Sequence, residues 1–245
     1  MIKGLLAIYL RELFILKRRL LRQIPSWSIS PILYLIAFGY AMGKYVTIGN
    51  RSYMEFLIPG IAAMSSMTQA FAISSEINIS RFYWHIFEEF QSAPISNFSY
   101  VAGEVLAGIT RSFLAVLMII IIGFSFGIIL SYNVLFWLAI FLNSFIFASL
   151  AVGLAMIVKS HSDQAMLNSF IITPMAFLGG TFFPIDRLPQ WAQKVIYFLP
   201  LTHASKAIRS AAFEENPNLS SYFILAIIGI IFFFMAVKSV TITRE

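Results

Sequence analysis

Residues 112–158 read SFLAVLMIIIIGFSFGIILSYNVLFWLAIFLNSFIFASLAVGLAMIV and contain no charged side chain. Within this stretch only Ser131-Tyr132-Asn133 has the composition of a turn. A helix that crosses a bilayer needs roughly 20 mostly apolar residues. We therefore predict a tight hairpin of two membrane-spanning helices, at residues 100–130 and 134–158.

The whole chain has the composition of a membrane protein. Of its 245 residues, 59% are hydrophobic and 11% are charged, whereas about 25% of the residues in a soluble domain are charged. The absence of cysteine excludes disulfides, cysteine-ligated metal sites and a thiol nucleophile. The net charge of +6 comes from basic residues near the membrane boundaries, so we expect no nucleic-acid partner.

Six segments qualify as membrane-spanning helices, and the fold class we expect is an all-α polytopic membrane protein. The spans are predicted at residues 27–43, 56–75, 100–130, 134–158, 166–183 and 219–240. An even number of spans places both termini on one side. The dense basic cluster before the first span makes that side cytoplasmic by the positive-inside rule, so we expect a multi-pass protein of the cytoplasmic (inner) membrane with both termini in the cytoplasm.

The first 23 residues have the pattern of an amphipathic helix. At 100° per residue, Arg11, Arg18 and Arg22 share one narrow stripe, and Pro25 is expected to end the helix. The leucines of the apolar face lie well away from that stripe: Leu6, Leu10, Leu13 and Leu20. A helix of this kind lies along the membrane surface, either as a topology anchor alone or as an interface helix. Residues 24–245 then form the transmembrane domain.

The segment after the second span, at about residues 82–92, has a second amphipathic pattern. At helical spacing Tyr83, Phe87 and Phe90 share one side, and Glu88 and Glu89 point away from it. A short helix with aromatic residues and acidic flanks fits a groove on a soluble partner. A loop helix that packs on the bilayer explains the aromatic residues equally well.

Prolines divide the segment at about residues 184–215 into short pieces. Pro184, Pro189 and Pro200 separate two helical patterns, of which the first begins at Trp191 and the second contains Arg209. Each piece is too short to span a bilayer. We therefore expect a re-entrant or surface-lying helical hairpin on the outer side, immediately before the last span.

Two charged residues fall inside the third predicted span. Glu104 and Arg111 lie seven positions apart on one helix face, which separates them by about 10 Å along the axis and prevents a direct ion pair within that helix. Either Glu104 is interfacial and Arg111 snorkels or pairs with a neighbouring helix, or the two form a buried polar contact at a gate or subunit interface. Two charges are too few to support a proton relay.

The sequence contains no recognisable catalytic or metal-binding pattern. It has no Gly-x-x-x-x-Gly-Lys-Ser/Thr loop and no soluble segment large enough for a nucleotide-binding domain. The three histidines, His85, His161 and His203, are far apart and lack a ligand pattern. We expect no cofactor in this chain, so that any ATP and Mg²⁺ would be bound by a partner.

Four motifs, in order along the chain, carry a family resemblance. They are YMEFLIPGIAAMSSM (53–67), EEFQSAPIS (88–96), FLGGTFFPIDRLPQW (177–191) and FLPLTHASKAIRSAAF (198–213). Together they resemble the type-2 ABC transporter permeases, a family that includes daunorubicin-resistance and nodulation-factor exporters. Leu199 departs from the asparagine that many relatives have at that position.

This resemblance implies a fold and a division of labour. Two permease subunits, identical or sister chains, pair in the membrane, and each docks one cytoplasmic ABC ATPase through the N-terminal helix and a coupling helix at residues 83–91. The chain itself would not be an enzyme. It would move an amphipathic drug, a lipid, or a lipid-linked oligosaccharide or polysaccharide outward between the two permeases, with Phe38, Phe141 and Phe145 as candidate lining residues. The alternative is an ion-coupled secondary transporter or a channel.

Overall fold

The computed structural model describes residues 2–43, 46–48 and 51–244, except for the side chains of Met42, Glu88, Gln91 and Arg244. Its helices are α1 (Ile2–Tyr34), α2 (Ala41–Gly43), α3 (Tyr53–Phe71), α4 (Ile73–Phe82), α5 (Ile86–Ser92), α6 (Asn97–Ser125), α7 (Val134–Ile157), α8 (His161–Leu167), α9 (Thr173–Leu178), α10 (Gln190–Tyr197), α11 (Pro200–Ala212) and α12 (Leu219–Arg244). Two short antiparallel strands, β1 (Thr47–Ile48) and β2 (Arg51–Ser52), precede α3.

Four helical segments in the described part of the chain are long and apolar enough to cross a membrane. They are Tyr53–Phe82, Asn97–Ser125, Val134–Ile157 and Leu219–Thr243. The first comprises α3 and α4, which meet at Ala72. An all-α membrane protein is therefore confirmed, while the total of six spans stays a prediction.

The helices run between two ends of one bundle. We call the end that holds both chain termini and α5 the terminal end, and the end that holds α10, α11 and the strands the hairpin end. At the terminal end Gly4 lies against Ile95, and Asn97 Nδ2 donates a 3.0 Å hydrogen bond to Thr241. The two termini thus lie at the same end, and which side of the membrane they occupy stays a prediction.

The N-terminal helix does not end where its sequence predicts. The expectation that Pro25 terminates it is wrong, because α1 continues through Pro25 and Pro31 to Tyr34. Each proline removes one backbone donor without forcing a stop, and Ser28 Oγ donates a 2.9 Å hydrogen bond to the Ile24 carbonyl next to the first of them. The amphipathic segment and the first predicted span therefore form one continuous element.

The two predicted spans that do not meet the length and hydropathy requirement each contain a π-helical turn. Leu35–Tyr40 interrupts the segment at residues 27–43, and Asn168–Ile172 joins α8 to α9 within the segment at residues 166–183. The two segments are in contact, since Tyr34 packs on Phe182 with ring centroids 5.1 Å apart. A π-turn inside a helix inserts an extra residue and frequently marks a functional position.

The hairpin between α6 and α7 forms, with an earlier first boundary than predicted. The predicted helix at residues 100–130 ends at Ser125, and Gly127 follows with a φ of 76° that favours glycine. Asn133 caps α7 through a 2.9 Å bond from the Phe136 amide to its side-chain oxygen. Its Nδ2 also donates to the Ala211 carbonyl, which ties the turn to α11.

The core of the hairpin end is built around α11. Leu201, Ala204, Ala207 and Ile208 are fully buried, so α11 sits inside the bundle among α3, α7 and α12. By contrast α10 lies on the surface and buries only Ile196 among its residues. The placement of this hairpin relative to a membrane, re-entrant or not, stays a prediction.

Candidate docking helix and inter-helix cleft

The short helix α5 at the terminal end is fixed to the bundle by its aromatic side. Phe87 is 7% exposed and packs edge-on against Tyr100 with ring centroids 5.7 Å apart. Phe90 lies 5.6 Å from the same tyrosine ring, and the Arg11 guanidinium sits 5.1 Å above Phe90. These contacts connect α5 to both α6 and α1.

Another set of side chains forms the outward surface of this region. Tyr83 is 67% exposed, Trp84 is 51% exposed, and Glu89 is exposed on α5. The prediction that Tyr83 shares a helix face with the two phenylalanines is wrong, because α4 ends before Tyr83 and α5 begins only after the left-handed His85. The side chain of Glu88 lies outside the described part of the chain. The surface free to meet a partner is therefore formed by Tyr83, Trp84 and Glu89, which we call the docking face.

Arg81 connects the docking face to the end of α7. Its Nη1 donates to the Ala155 carbonyl at the end of α7, and its guanidinium lies 5.4 Å from the Phe87 ring. The sequence pattern alone does not single out this arginine. Together with the ring contacts, this arginine connects the docking face to α1, α6 and α7.

The predicted basic stripe of the N-terminal helix divides into a packed and an exposed part. Arg18 and Arg22 are exposed, whereas Arg11 is half-buried and forms an ion pair with Glu12. Burial raises the pKa of Glu12, and the adjacent Arg11 partly offsets this rise. A close approach of helices causes the burial, since a Cβ on Gly103 of α6 would lie 2.7 Å from Ile8 Cβ.

The two charged residues of α6 have separate surroundings. Arg111 forms an ion pair with Glu76 of α4 and lies 5.8 Å from the Trp27 ring. Glu104 is 2% exposed, and its Oε2 has no hydrogen-bond partner among the described residues. Arg111 therefore pairs with a neighbouring helix, one of the two arrangements expected for it. Glu76 could have been found from the sequence as an acidic residue at the end of an apolar helix.

A polar cleft of about 340 Å³ opens between α1, α3–α4 and α8–α9. None of its lining side chains is charged, and both π-helical turns contribute to it or adjoin it. The polar lining consists of Ser26, Ser30, Ser65, Thr68, Gln69, Ser75, Gln164, Asn168 and Thr173, and the rings come from Trp27, Tyr34, Phe71 and Phe177. Phe38, Phe141 and Phe145 are not among its lining residues.

A buried hydrogen-bond chain positions one wall of this cleft. Asn78 Nδ2 donates to Gln164 Oε1 at 3.0 Å, and Gln164 Nε2 donates to Ser74 Oγ at 2.9 Å. Ring faces beside uncharged donors and acceptors are typical of pockets for neutral polar or amphipathic ligands. No periodic pattern in the sequence indicates this site, because its residues come from three separate segments.

The residues singled out in the hairpin have mostly structural positions. Pro184 and Pro189 precede the 3₁₀ turn Ile185–Arg187 and α10, and Pro200 is the first residue of α11. Trp191 is 72% exposed on α10.

Arg209 is the exception, because it is held on two sides. Its Nη2 donates a 2.9 Å bond to the Gly180 carbonyl, and its Cζ lies 3.8 Å from the Phe56 ring centroid. Burial lowers the pKa of Arg209 to about 10, so the side chain remains cationic at neutral pH. It therefore places a positive charge at the hairpin end.

The matches to known proteins extend over most of the chain. The family model described as ABC-2 type transporter matches residues 5–213. The inner membrane transport permease YadH of Escherichia coli (strain K12) is 25% identical over 246 residues, which cover 94% of this chain and 91% of the relative. Nodulation protein J of Rhizobium leguminosarum bv. viciae is 29% identical over 216 residues, covering 83% and 80% respectively. Nodulation protein J of Sinorhizobium fredii (strain NBRC 101917 / NGR234) is 26% identical over 213 residues, covering 86% and 81%.

Proposed function

Because this chain belongs to the ABC-2 type transporter family, we propose that it is the membrane-spanning permease subunit of an ATP-driven exporter whose ATPase is a separate polypeptide. The family and the apolar helices indicate a multi-pass inner-membrane protein. Within the proposal, the permease binds no ATP itself. The hydrolytic subunit, with its ATP and Mg²⁺, docks from the cytoplasm at the terminal end.

The observation that carries this proposal is the attachment of the docking face. Tyr83, Trp84 and Glu89 are exposed, yet the adjoining Phe87 and Arg81 are packed against α6 and bonded to α7. A movement of a partner bound to the exposed residues would therefore be transmitted to the helix bundle. Aromatic side chains in an exposed cluster are also the residue types that dominate binding energy at protein interfaces.

ATP binding to a pair of ATPases would supply the differential free energy that shifts the permease between two states. The movement of each docked ATPase would pass through α5 to α1 and α6. The two π-helical turns beside the polar cleft interrupt the regular α-helical hydrogen bonding, so we place the change in the relative arrangement of α1 and α8–α9 at these turns. A second copy, or a sister permease, would complete the substrate route.

The lining of the polar cleft favours an uncharged polar or amphipathic substrate. Hydroxyl and amide groups beside aromatic rings match the chemistry of saccharides, of drugs with an apolar body and of lipids with a sugar head. We accordingly retain an amphipathic drug, a lipid, or a lipid-linked oligosaccharide or polysaccharide as the substrate class. The ion-coupled carrier has less support, since the cleft lining contains no ionisable carboxylate or amine.

The test is a permease with a disrupted docking face. In the triple variant Tyr83→Ala, Trp84→Ala and Glu89→Lys, the ATPase should no longer co-purify and substrate-stimulated hydrolysis should fall at least tenfold, on the order expected from loss of interface hot spots. The thermal unfolding midpoint should stay near that of the wild type, because these side chains are exposed. Trp191→Ala with Tyr197→Ala, at the opposite end, is the matched control.

Either of two results would contradict the proposal. One is wild-type ATPase retention and stimulation in the triple variant. The other is transport by ATP-free proteoliposomes when only an ion gradient is applied.

A further inference from the structure

A second cleft, of about 620 Å³, opens at the hairpin end between β1–β2, the 3₁₀ turn and α11. It is separate from the polar cleft and shares none of its lining residues. Its charged lining consists of Arg51, Lys206 and Arg209 together with Asp186 and Glu215. The volume falls in the range of pockets that hold small-molecule ligands, roughly 300–1,000 Å³.

Both arginines of this cleft are held in place by an aromatic ring and a backbone carbonyl. Arg51 Cζ lies 4.1 Å from the Phe213 ring centroid, and its Nη2 donates a 3.2 Å bond to the Phe213 carbonyl. Arg209 is stacked on Phe56 and bonded to Gly180 in the same manner. Each guanidinium has five N–H donors, so donors remain on both after one bond, although the Nε of Arg209 is buried. Stacking also fixes the plane of each fork before any ligand arrives, which reduces the entropy lost on binding.

The cations of the cleft are only partly compensated by the described residues, since the carboxylate of Glu215 acts on Arg209 electrostatically. None of the five charged lining side chains forms an ion pair with another described residue. The three cations are half-buried, whereas Asp186 and Glu215 are exposed to water, which screens their charge more strongly. Lys206 adds a point charge with three donors to the same lining. The cleft therefore has a net positive lining with unused donors.

We propose that this cleft at the hairpin end is a binding site for a phosphoryl group, carried either by an anionic lipid headgroup or by a water-soluble phosphorylated compound. Guanidinium forks match the oxygen geometry of phosphate, and the Lys206 ammonium supplies further donors. The cleft also has room for the organic group to which a phosphate is attached. Such a site is independent of the ATPase and of the polar cleft.

The experiment uses the full chain in nanodiscs, without ATPase or nucleotide, and measures the thermal unfolding midpoint. One arm adds inorganic pyrophosphate to phosphatidylcholine nanodiscs, and the other compares phosphatidylcholine nanodiscs with nanodiscs that contain phosphatidylglycerol. A ligand that binds the folded state raises the midpoint in a concentration-dependent manner. Stabilisation by the lipid alone identifies a headgroup site, and stabilisation by pyrophosphate identifies a site for soluble phosphoryl compounds.

Two variants assign the effect to the cleft. Lys206→Gln should weaken binding by on the order of tenfold, and Arg51→Gln with Lys206→Gln by more, as expected for lost charge-assisted hydrogen bonds. Arg187→Gln is the matched control, because it removes a cation from the same end of the molecule but outside the cleft lining. The inference is overturned if neither probe stabilises the wild type, or if the double variant responds as the wild type does. Since no transport is measured, these outcomes are independent of the proposed export function.

Discussion

The terminal end and the hairpin end hold their arginines by different means. At the terminal end Arg111 and Arg11 each pair with a carboxylate, on Glu76 and Glu12. At the hairpin end Arg51 and Arg209 stack on rings and donate to backbone carbonyls, without a paired carboxylate among the described residues. Carboxylates thus compensate these two arginines at the terminal end, whereas the lining of the hairpin-end cleft keeps a net positive charge.

Under the two proposals made above, this difference would correspond to two different tasks. An element that transmits motion needs contacts that attach it firmly to the bundle, such as the Phe87–Tyr100 and Arg81–Ala155 contacts. A surface that meets an anion needs charges that are fixed in place but not neutralised. Ring stacking achieves this, because it orients a guanidinium and leaves its formal charge unpaired.

The largest loss of stability should come from breaking the Arg111–Glu76 ion pair. Arg111→Gln leaves Glu76 without its partner beside the buried Glu104 and Glu12, and should cost about 3 kcal/mol of unfolding free energy. Chemical denaturation in detergent would measure it. Adding Glu76→Gln should restore most of the loss. If the double variant is as unstable as the single one, the ion pair is not the cause.

A smaller loss is expected from the close helix contact that supports Arg209. A Cβ on Gly60 would lie 2.4 Å from the Thr181 carbonyl oxygen, and backbone atoms cannot move aside as a side chain can. Gly60→Ala should therefore cost about 2 kcal/mol. Gly153→Ala is the control, since its nearest neighbour would be at an ordinary 3.4 Å. Equal midpoints for the two variants would argue against a tight contact at Gly60.

Removing the ring-stacked arginine at the hairpin end should have a still smaller effect on stability. Arg51→Gln loses one cation–π contact and one hydrogen bond at a half-exposed position, worth together about 1 kcal/mol. The same denaturation assay compares it directly with Arg111→Gln. A loss at Arg51 as large as that at Arg111 would contradict the distinction between the two ends.

The smallest effects concern pH, and the two ends should respond in opposite directions. Burial raises the pKa of Glu12. The stability that protonated Glu12 contributes is therefore present below the ordinary glutamate pKa of 4.5 and is lost as pH rises through the folded-state pKa. Burial lowers the pKa of His203, whose neutral ring donates from Nε2 to the Tyr197 carbonyl. The stability that neutral His203 contributes is present above the ordinary histidine pKa of 6.5 and is lost as pH falls through the folded-state pKa.

Unfolding midpoints measured across pH for Glu12→Gln and His203→Gln check this pair. Glu12→Gln should remove the loss on the alkaline side, and His203→Gln should remove the loss on the acidic side. Glutamine can still donate to the Tyr197 carbonyl, so the second variant isolates protonation from hydrogen bonding. Parallel pH curves for both variants and the wild type would show that neither group is perturbed as described.

The apolar helices and the family resemblance could be predicted from the sequence because both depend on local composition and contiguous motifs. The α6–α7 hairpin and α12 follow from hydropathy alone. Pro25 misled the prediction because a proline forbids one hydrogen bond but does not forbid a helix. The π-helical turns were not predicted, because a residue inserted into a helical turn does not change the amino-acid composition of the segment.

The sites were less predictable because they depend on contacts between distant segments. Helical periodicity placed Phe87 and Phe90 on one side of α5, but it could not show that Tyr100 covers that side. Nor could spacing pair Arg111 with Glu76, or Arg51 with Phe213. Which aromatic residues face a partner and which face the bundle is decided by tertiary packing.

The most direct test of the central claim is a cross-link from the docking face, which the cysteine-free sequence makes simple. Trp84→Cys in native membranes, treated with a short thiol-to-amine cross-linker, should capture an ABC ATPase identified by its nucleotide-binding peptides. Trp191→Cys at the hairpin end should capture none, although Trp191 is 72% exposed and Trp84 is 51% exposed. Absence of the ATPase from the Trp84→Cys product in a transport-competent complex, or equal capture from Trp191→Cys, would contradict an ATPase docked at this face.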